Sequence, residues 1–325
     1  MFESVSYLVI GLALLVYSAD KFVVGAAATA KHVGISTMLI GLIVVGFGTS
    51  APEMVVSAIA SLEGNSGMAL GNAVGSNITN IGLVLGIGLL IVPMTVKGET
   101  LRREIPILIL ITLITFWLLY DLQLSHIDGW LLLSGMLFVT LLIAYFGLRE
   151  GSDAFAHELE SEIELDITLK LSVFFLVLGI VFLPLASQLM VIGATNIAQH
   201  FGVSDLVIGL TIVAFGTSLP ELAATIASAA KNEHDLAIGN VVGSNMFNLL
   251  GVIGISGIIR EYEFDAHFLE FDYFYMLILT LSLFVISVYF RAKNKLIPRV
   301  TGIVFLLSYV SYMVWLYVSG ENSIS

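Results

Sequence analysis

Two glutamates sit inside long apolar runs, each at the end of the same short motif. The first stretch is Gly46-Phe47-Gly48-Thr49-Ser50-Ala51-Pro52-Glu53; the second is Ala214-Phe215-Gly216-Thr217-Ser218-Leu219-Pro220-Glu221, 168 residues later. An ionised carboxylate at membrane depth is costly, so such a group marks a functional site by default. Thr49 and Ser50 lie four and three residues before Glu53, so on a helix both hydroxyls share its face. Pro52 has no N–H, which leaves the Gly48 carbonyl without its helical donor, and Gly46 and Gly48 let the backbone bend there. Pro220 does the same to Gly216, beside Thr217, Ser218 and Glu221. Carbonyls freed at membrane depth are tolerated only where they line a cavity or hold something.

The runs that follow each motif add Ser76, Asn77 and Asn80, and Ser244, Asn245 and Asn248. The inventory is carboxylates, hydroxyls, amide oxygens and main-chain carbonyls, all hard oxygen donors. Calcium takes about six to eight of these at about 2.3–2.6 Å. Two carboxylates neutralise one divalent ion, which removes most of the cost of burying it. Neither stretch holds His or Cys, which disfavours zinc and copper. For Ser76, Asn77 and their repeat mates two readings stay open: helix packing and ligation. For the glutamates the plainer reading is a protonated, hydrogen-bonded carboxyl with no ion, and the proline-broken turn beside each speaks against it. His32 and His200 match across the repeat but fall at helix ends, which reads as an interfacial position. Asp20 and Lys21 have no charged mates, since Gln188 and Leu189 stand there; a local ion pair is expected.

Positioning these groups requires membrane helices. Of 325 residues, 58% are apolar and only 12% charged, with a mean hydropathy of +1.00; a soluble chain carries about twice that charged fraction. Several apolar runs reach spanning length, and ten spans are expected: 5–30, 38–60, 68–92, 105–120, 129–147, 169–199, 206–230, 236–259, 268–290 and 298–318. The first lacks a basic lead-in and reads as a helix, not a cleaved signal. Cysteine is absent, which excludes disulfides and thiol chemistry. The net charge of −12 argues against a nucleic-acid partner.

With the N-terminus outside, eleven of the 13 Lys and Arg residues fall in inner connections, Arg260 alone falls in an outer one, and Lys21 lies within the first span. That bias sets both termini outside. The 168-residue offset aligns Gly34–Asn80 with Gly202–Asn248 without a gap. Five spans per half is an odd number, so the second half enters the membrane upside down, an architecture that places a site at the midplane between repeats. The expected fold is an all-α membrane protein of ten transmembrane helices in two inverted-topology five-helix repeats. Residues 1–148 form the first repeat and 169–325 the second; 149–168 form an acidic cytoplasmic connector, read as a solvated loop.

At these motifs the chain resembles the cation/calcium antiporter superfamily, in particular the compact prokaryotic members of the sodium/calcium exchanger branch. Gly48-Thr49-Ser50-Ala51-Pro52-Glu53 with Gly75-Ser76-Asn77, and Gly216-Thr217-Ser218-Leu219-Pro220-Glu221 with Gly243-Ser244-Asn245, look like that family's two alpha repeats. The resemblance implies a secondary antiporter of the cytoplasmic membrane, not an enzyme, with calcium and sodium as cargo, lipid as surroundings and no cofactor. It further implies that Glu53 and Glu221 bind calcium and share in sodium binding, and that Thr49 and Thr217 offer main-chain carbonyls. Ser50, Ser76, Ser218 and Ser244 would serve sodium with the carbonyls of Gly46 and Ala214. Asn80 and Asn248 fill positions where some members carry Asp. The long first and sixth helices look like the pair that slides to switch access.

Three rival classes are distinguishable. A proton/calcium antiporter has less need of hydroxyls beside the carboxylates. A channel does not account for one midplane carboxylate in each inverted half. An intramembrane metallohydrolase would call for His ligands or an activated nucleophile, and neither motif offers one.

Overall fold

The computed structural model describes residues 1–33, 50–96, 100–149, 167–230 and 234–322. They are almost wholly helical. In chain order the helices are α1 (Phe2–His32), α2 (Ala51–Leu62), α3 (Ser66–Ile91), α4 (Ile105–Leu118), α5 (His126–Arg149), α6 (Leu169–Phe201), α7 (Asp205–Thr217), α8 (Leu219–Ala230), α9 (234–259), α10 (Phe268–Ala292) and α11 (Arg299–Asn322). Among the described residues, seven are long and apolar enough to cross a membrane alone: α1, α3, α5, α6, α9, α10 and α11. Helices α7 and α8 meet at a 43° bend and would make an eighth span together. Pro220, one residue inside α8, removes the main-chain donor that would carry the helix straight on. The other two expected spans are represented by shorter helices. Helix α2 has 12 residues and starts at the edge of the described segment; α4 has 14.

The chain is a membrane protein by this architecture. Helix α3 is buried along its first 14 residues, polar and apolar alike. Outer helices such as α5 and α6 instead expose Leu137, Phe138, Leu141, Val177, Ile180 and Val181. In a bilayer these face acyl chains, and each helix satisfies its own backbone groups.

Helices α1 and α6 pack along their length. A Cβ on Gly25 would lie 2.3 Å from Leu176 N, and one on Gly193 would lie 2.6 Å from Leu8 N, so only glycine permits the crossing. Gly193 is 168 residues after Gly25, and Leu176 is 168 after Leu8, so the two contacts are reciprocal. At 31 and 33 residues both helices exceed the roughly 20 that span a bilayer.

Five π-helical turns occur among the described residues, and four of them pair at the repeat offset. Those at Asn80–Leu85 and Asn248–Val252 begin 168 residues apart, as do those at Thr100–Glu104 and Phe268–Tyr273. Arg102 and Arg103, which the sequence reading assigns to a connection, lie in the turn that leads into α4. Short strands tie the connections together. β1 (Gln123–Leu124) pairs antiparallel with β2 (Tyr262–Glu263), and Met94 bridges Ile297.

Candidate cation-binding site

Ser50 and Glu53 open α2, and Thr217, Ser218 and Glu221 flank the α7–α8 break; all five are buried. The Glu53 and Glu221 carboxylates stand close enough to interact electrostatically. Each is held through its main chain by an asparagine of the next helix. Asn72 donates to the Glu53 carbonyl at 3.3 Å and to Ser57 Oγ at 2.9 Å. Asn240 donates to the Glu221 carbonyl at 3.4 Å and to Thr225 Oγ1 at 3.3 Å. The partners are repeat mates throughout.

Between α3 and α9 lies a belt of four asparagines. Asn80 Nδ2 donates to Asn245 Oδ1, and Asn248 Nδ2 to Asn77 Oδ1, both at 3.1 Å. Asn77 and Asn245 each donate to the other's main-chain carbonyl, at 3.2 and 3.5 Å. This fixes the amide orientation: the Oδ1 atoms of Asn80 and Asn248 are left with no donor among the described residues. Ser50 Oγ, Ser218 Oγ and both carboxylate oxygens of Glu53 likewise have none. Buried polar atoms normally find partners, so a group of orphaned oxygens calls for an explanation. All of these atoms carry lone pairs, which suits a hard cation. Among the described residues no three His, Cys, Asp or Glu side chains gather into a metal cluster. A cation here would meet two carboxylates and neutral oxygens.

The structure thus brings Glu53 and Ser76 of one half near Glu221 and Thr217 of the other, with Ser76 Oγ 3.4 Å from Thr217 Oγ1, and joins Asn80 and Asn248 across the halves to Asn245 and Asn77; Ser50 and Ser218 are buried beside their own glutamates in the motif. Ser244 donates to Glu221 Oε1 at 3.3 Å. The Ala214 carbonyl accepts from Ser218 N at 3.1 Å, so it is engaged within its own turn; Thr217 Oγ1 also lies 3.4 Å from it, but the single hydroxyl proton has a nearer acceptor in Asn72 Oδ1 at 3.1 Å. Gly46 and Thr49 lie outside the described residues, as does the connector apart from Arg149, Ile167 and Thr168. Helix α3 approaches α7 closely: a Cβ on Gly71 would come 2.3 Å from Leu206 O. At Gly239 and Gly243 no described neighbour lies within 4 Å. Away from the site, Lys21 and Asp20 form the expected ion pair at 2.8 Å. His32 Nε2 lies 2.9 Å from the Ile167 carbonyl at the surface.

Sequence reasoning missed Asn72, Asn240, Ser57 and Thr225 as parts of the site. A signal was present, since each is a polar residue in an apolar helix with a polar mate 168 residues away.

Fold and site together define a helical membrane protein with a buried, oxygen-lined acidic centre. The chain belongs to the sodium/calcium exchanger protein family, whose model matches residues 3–148 and 171–318; this is a family of membrane exchangers, not enzymes. It is 43% identical to CaxA of Alkalimonas amylolytica over 98% of this chain and 100% of that one. It is 37% identical to the inner membrane protein YrbG of Escherichia coli K12 over 98% of each. The solved structure of the sodium-calcium exchanger NCX_Mj, soaked with sodium and strontium, matches with a TM-score of 0.64 at 34% identity, over 96% of this chain and 98% of that one.

Proposed function

We propose that this protein exchanges sodium for calcium across the cytoplasmic membrane by alternating access, and exports calcium with the inward sodium gradient. The observation that carries the reading is the nearness of the buried Glu53 and Glu221, one from each half, with buried oxygens about them that have no hydrogen-bond donor among the described residues. Calcium binds between the two carboxylates, with main-chain carbonyls of Thr49 and Thr217. Sodium takes overlapping oxygens: the same carboxylates, Ser50, Ser76, Ser218 and Ser244, and the carbonyls of Gly46 and Ala214. Asn80 and Asn248 supply neutral oxygens. Overlap makes the ions competitors, which is what couples their fluxes.

The proposal includes ten spans in two inverted repeats, 1–148 and 169–325, joined by a cytoplasmic connector at 149–168, with both termini outside. The matched π-turns and the reciprocal α1–α6 glycine contacts support it. The same two helices would slide across the core to switch access. The inner-membrane placement of YrbG supports the location.

The test is calcium-45 flux in proteoliposomes under sodium, potassium and proton gradients imposed one at a time. A sodium gradient alone should drive calcium against its own gradient. Drive by a pH gradient and not by sodium would replace this reading with proton/calcium antiport.

A further inference from the structure

Asn72 uses all of its hydrogen-bonding capacity. Its amide nitrogen donates to the Glu53 carbonyl and to Ser57 Oγ. Its Oδ1 accepts from Thr217 Oγ1 at 3.1 Å and from Ser76 Oγ at 3.4 Å. Two donors and two acceptor lone pairs are what an asparagine side chain offers. The side chain is fully buried, so water does not compete for any of the four. It joins α2, α3 and α7, and so reaches from one half of the molecule to the other.

The Oδ1 contacts bear on ion binding. A hydroxyl has one proton and two lone pairs, and its proton rotates to suit its neighbours. A cation needs the lone pairs. A hydroxyl whose proton points into the site repels the ion, or must first turn away from it. An acceptor placed behind the hydroxyl draws the proton out of the site and leaves the lone pairs facing inward. Asn72 Oδ1 is such an acceptor for Thr217 and Ser76, two hydroxyls that adjoin each other at 3.4 Å.

We infer that Asn72 is a positioning residue that turns the Thr217 and Ser76 hydroxyl protons away from the ion site, so that their lone pairs are set for sodium before it arrives. The inference rests on the sodium/calcium reading above. It assigns to Asn72 a role in sodium affinity in particular, because calcium is held mainly by the carboxylates, whereas a monovalent ion depends more on neutral oxygens. Asn240 holds Glu221 and Thr225 in the same way through its nitrogen. On that side Ser244 directs its hydroxyl to Glu221 Oε1 instead, so among the described residues the proton-turning contacts are those of Asn72.

The test is calcium and sodium titration, by calorimetry, of the purified full chain and of N72L, N72D and N240L. Leucine matches asparagine in size and has no acceptor. N72L should weaken apparent sodium affinity about tenfold, the scale of one lost polar contact, and change calcium affinity by less than about threefold. N240L should leave the sodium-to-calcium affinity ratio nearer to that of the unmodified protein than N72L does. Aspartate keeps two acceptor oxygens and loses both donors, so N72D should bind sodium at least as well as the unmodified chain. Equal loss of both ions in N72L, unchanged sodium affinity in N72L, or weaker sodium binding in N72D each overturns the inference. If N72L fails to fold, the N72D sodium titration decides alone. An unmodified protein that binds no sodium would instead contradict the sodium/calcium reading itself.

Discussion

Glu221 accepts a hydrogen bond from Ser244 at 3.3 Å, whereas both oxygens of Glu53 have no donor among the described residues. The corresponding serine, Ser76, points to Asn72 and Thr217. The two arms carry nearly the same residues at the same spacing, and the main chain of each glutamate is clamped by the same asparagine contact. The difference lies in where one hydroxyl proton goes. A repeated motif thus supplies two carboxylates that differ in one hydrogen bond: Glu221 shares a lone pair with the Ser244 hydroxyl, and Glu53 shares none with the described residues. Two ions of unlike charge can use such a pair differently, the divalent ion across both carboxylates and the monovalent ions at one or the other.

The largest effect that would test the comparison is loss of either carboxylate. E53Q and E221Q should each nearly abolish calcium transport in proteoliposomes while the purified protein stays folded, because each change halves the charge opposing a divalent ion. Normal calcium-45 uptake by either variant would remove that glutamate from the site. A smaller effect separates the arms. S76A should weaken sodium activation of transport about tenfold, and S244A about threefold, since freeing Glu221 Oε1 of a hydrogen bond makes it a better ligand and offsets part of the loss. Equal effects would mean that the unlike hydrogen bonding has no bearing on transport.

Much of this was readable in residue order because the signals are local. Apolar runs of spanning length, proline beside glutamate and hydroxyls at helical spacing all lie within one helix. The repeat is likewise visible as a fixed offset. What was hidden joins distant parts of the chain. Asn72 meets Thr217 across a separation of 145 residues, and the asparagine belt crosses 165 or more; no periodicity within a helix reports such contacts. The π-turns were also hidden. An inserted residue shifts a helix face by about one position without changing composition, so nothing in residue order marks that a π-turn begins at Asn80 and at Asn248. Arg102 and Arg103 read as a connection because their charge interrupts the apolar runs, although a π-turn carries them into the start of α4.

Coupling through shared oxygens predicts electrogenic transport whenever more than two sodium ions replace one calcium. Each elementary charge moved is worth about 2.3 kcal/mol per 100 mV, so the membrane potential becomes a driving force for the exchange. In proteoliposomes with a fixed sodium gradient, calcium-45 efflux should accelerate under an inside-negative potassium–valinomycin potential and slow when the potential is reversed. External sodium should also inhibit calcium binding competitively. Calcium flux that follows a pH gradient and ignores both the sodium gradient and the potential would contradict sodium/calcium exchange at this site.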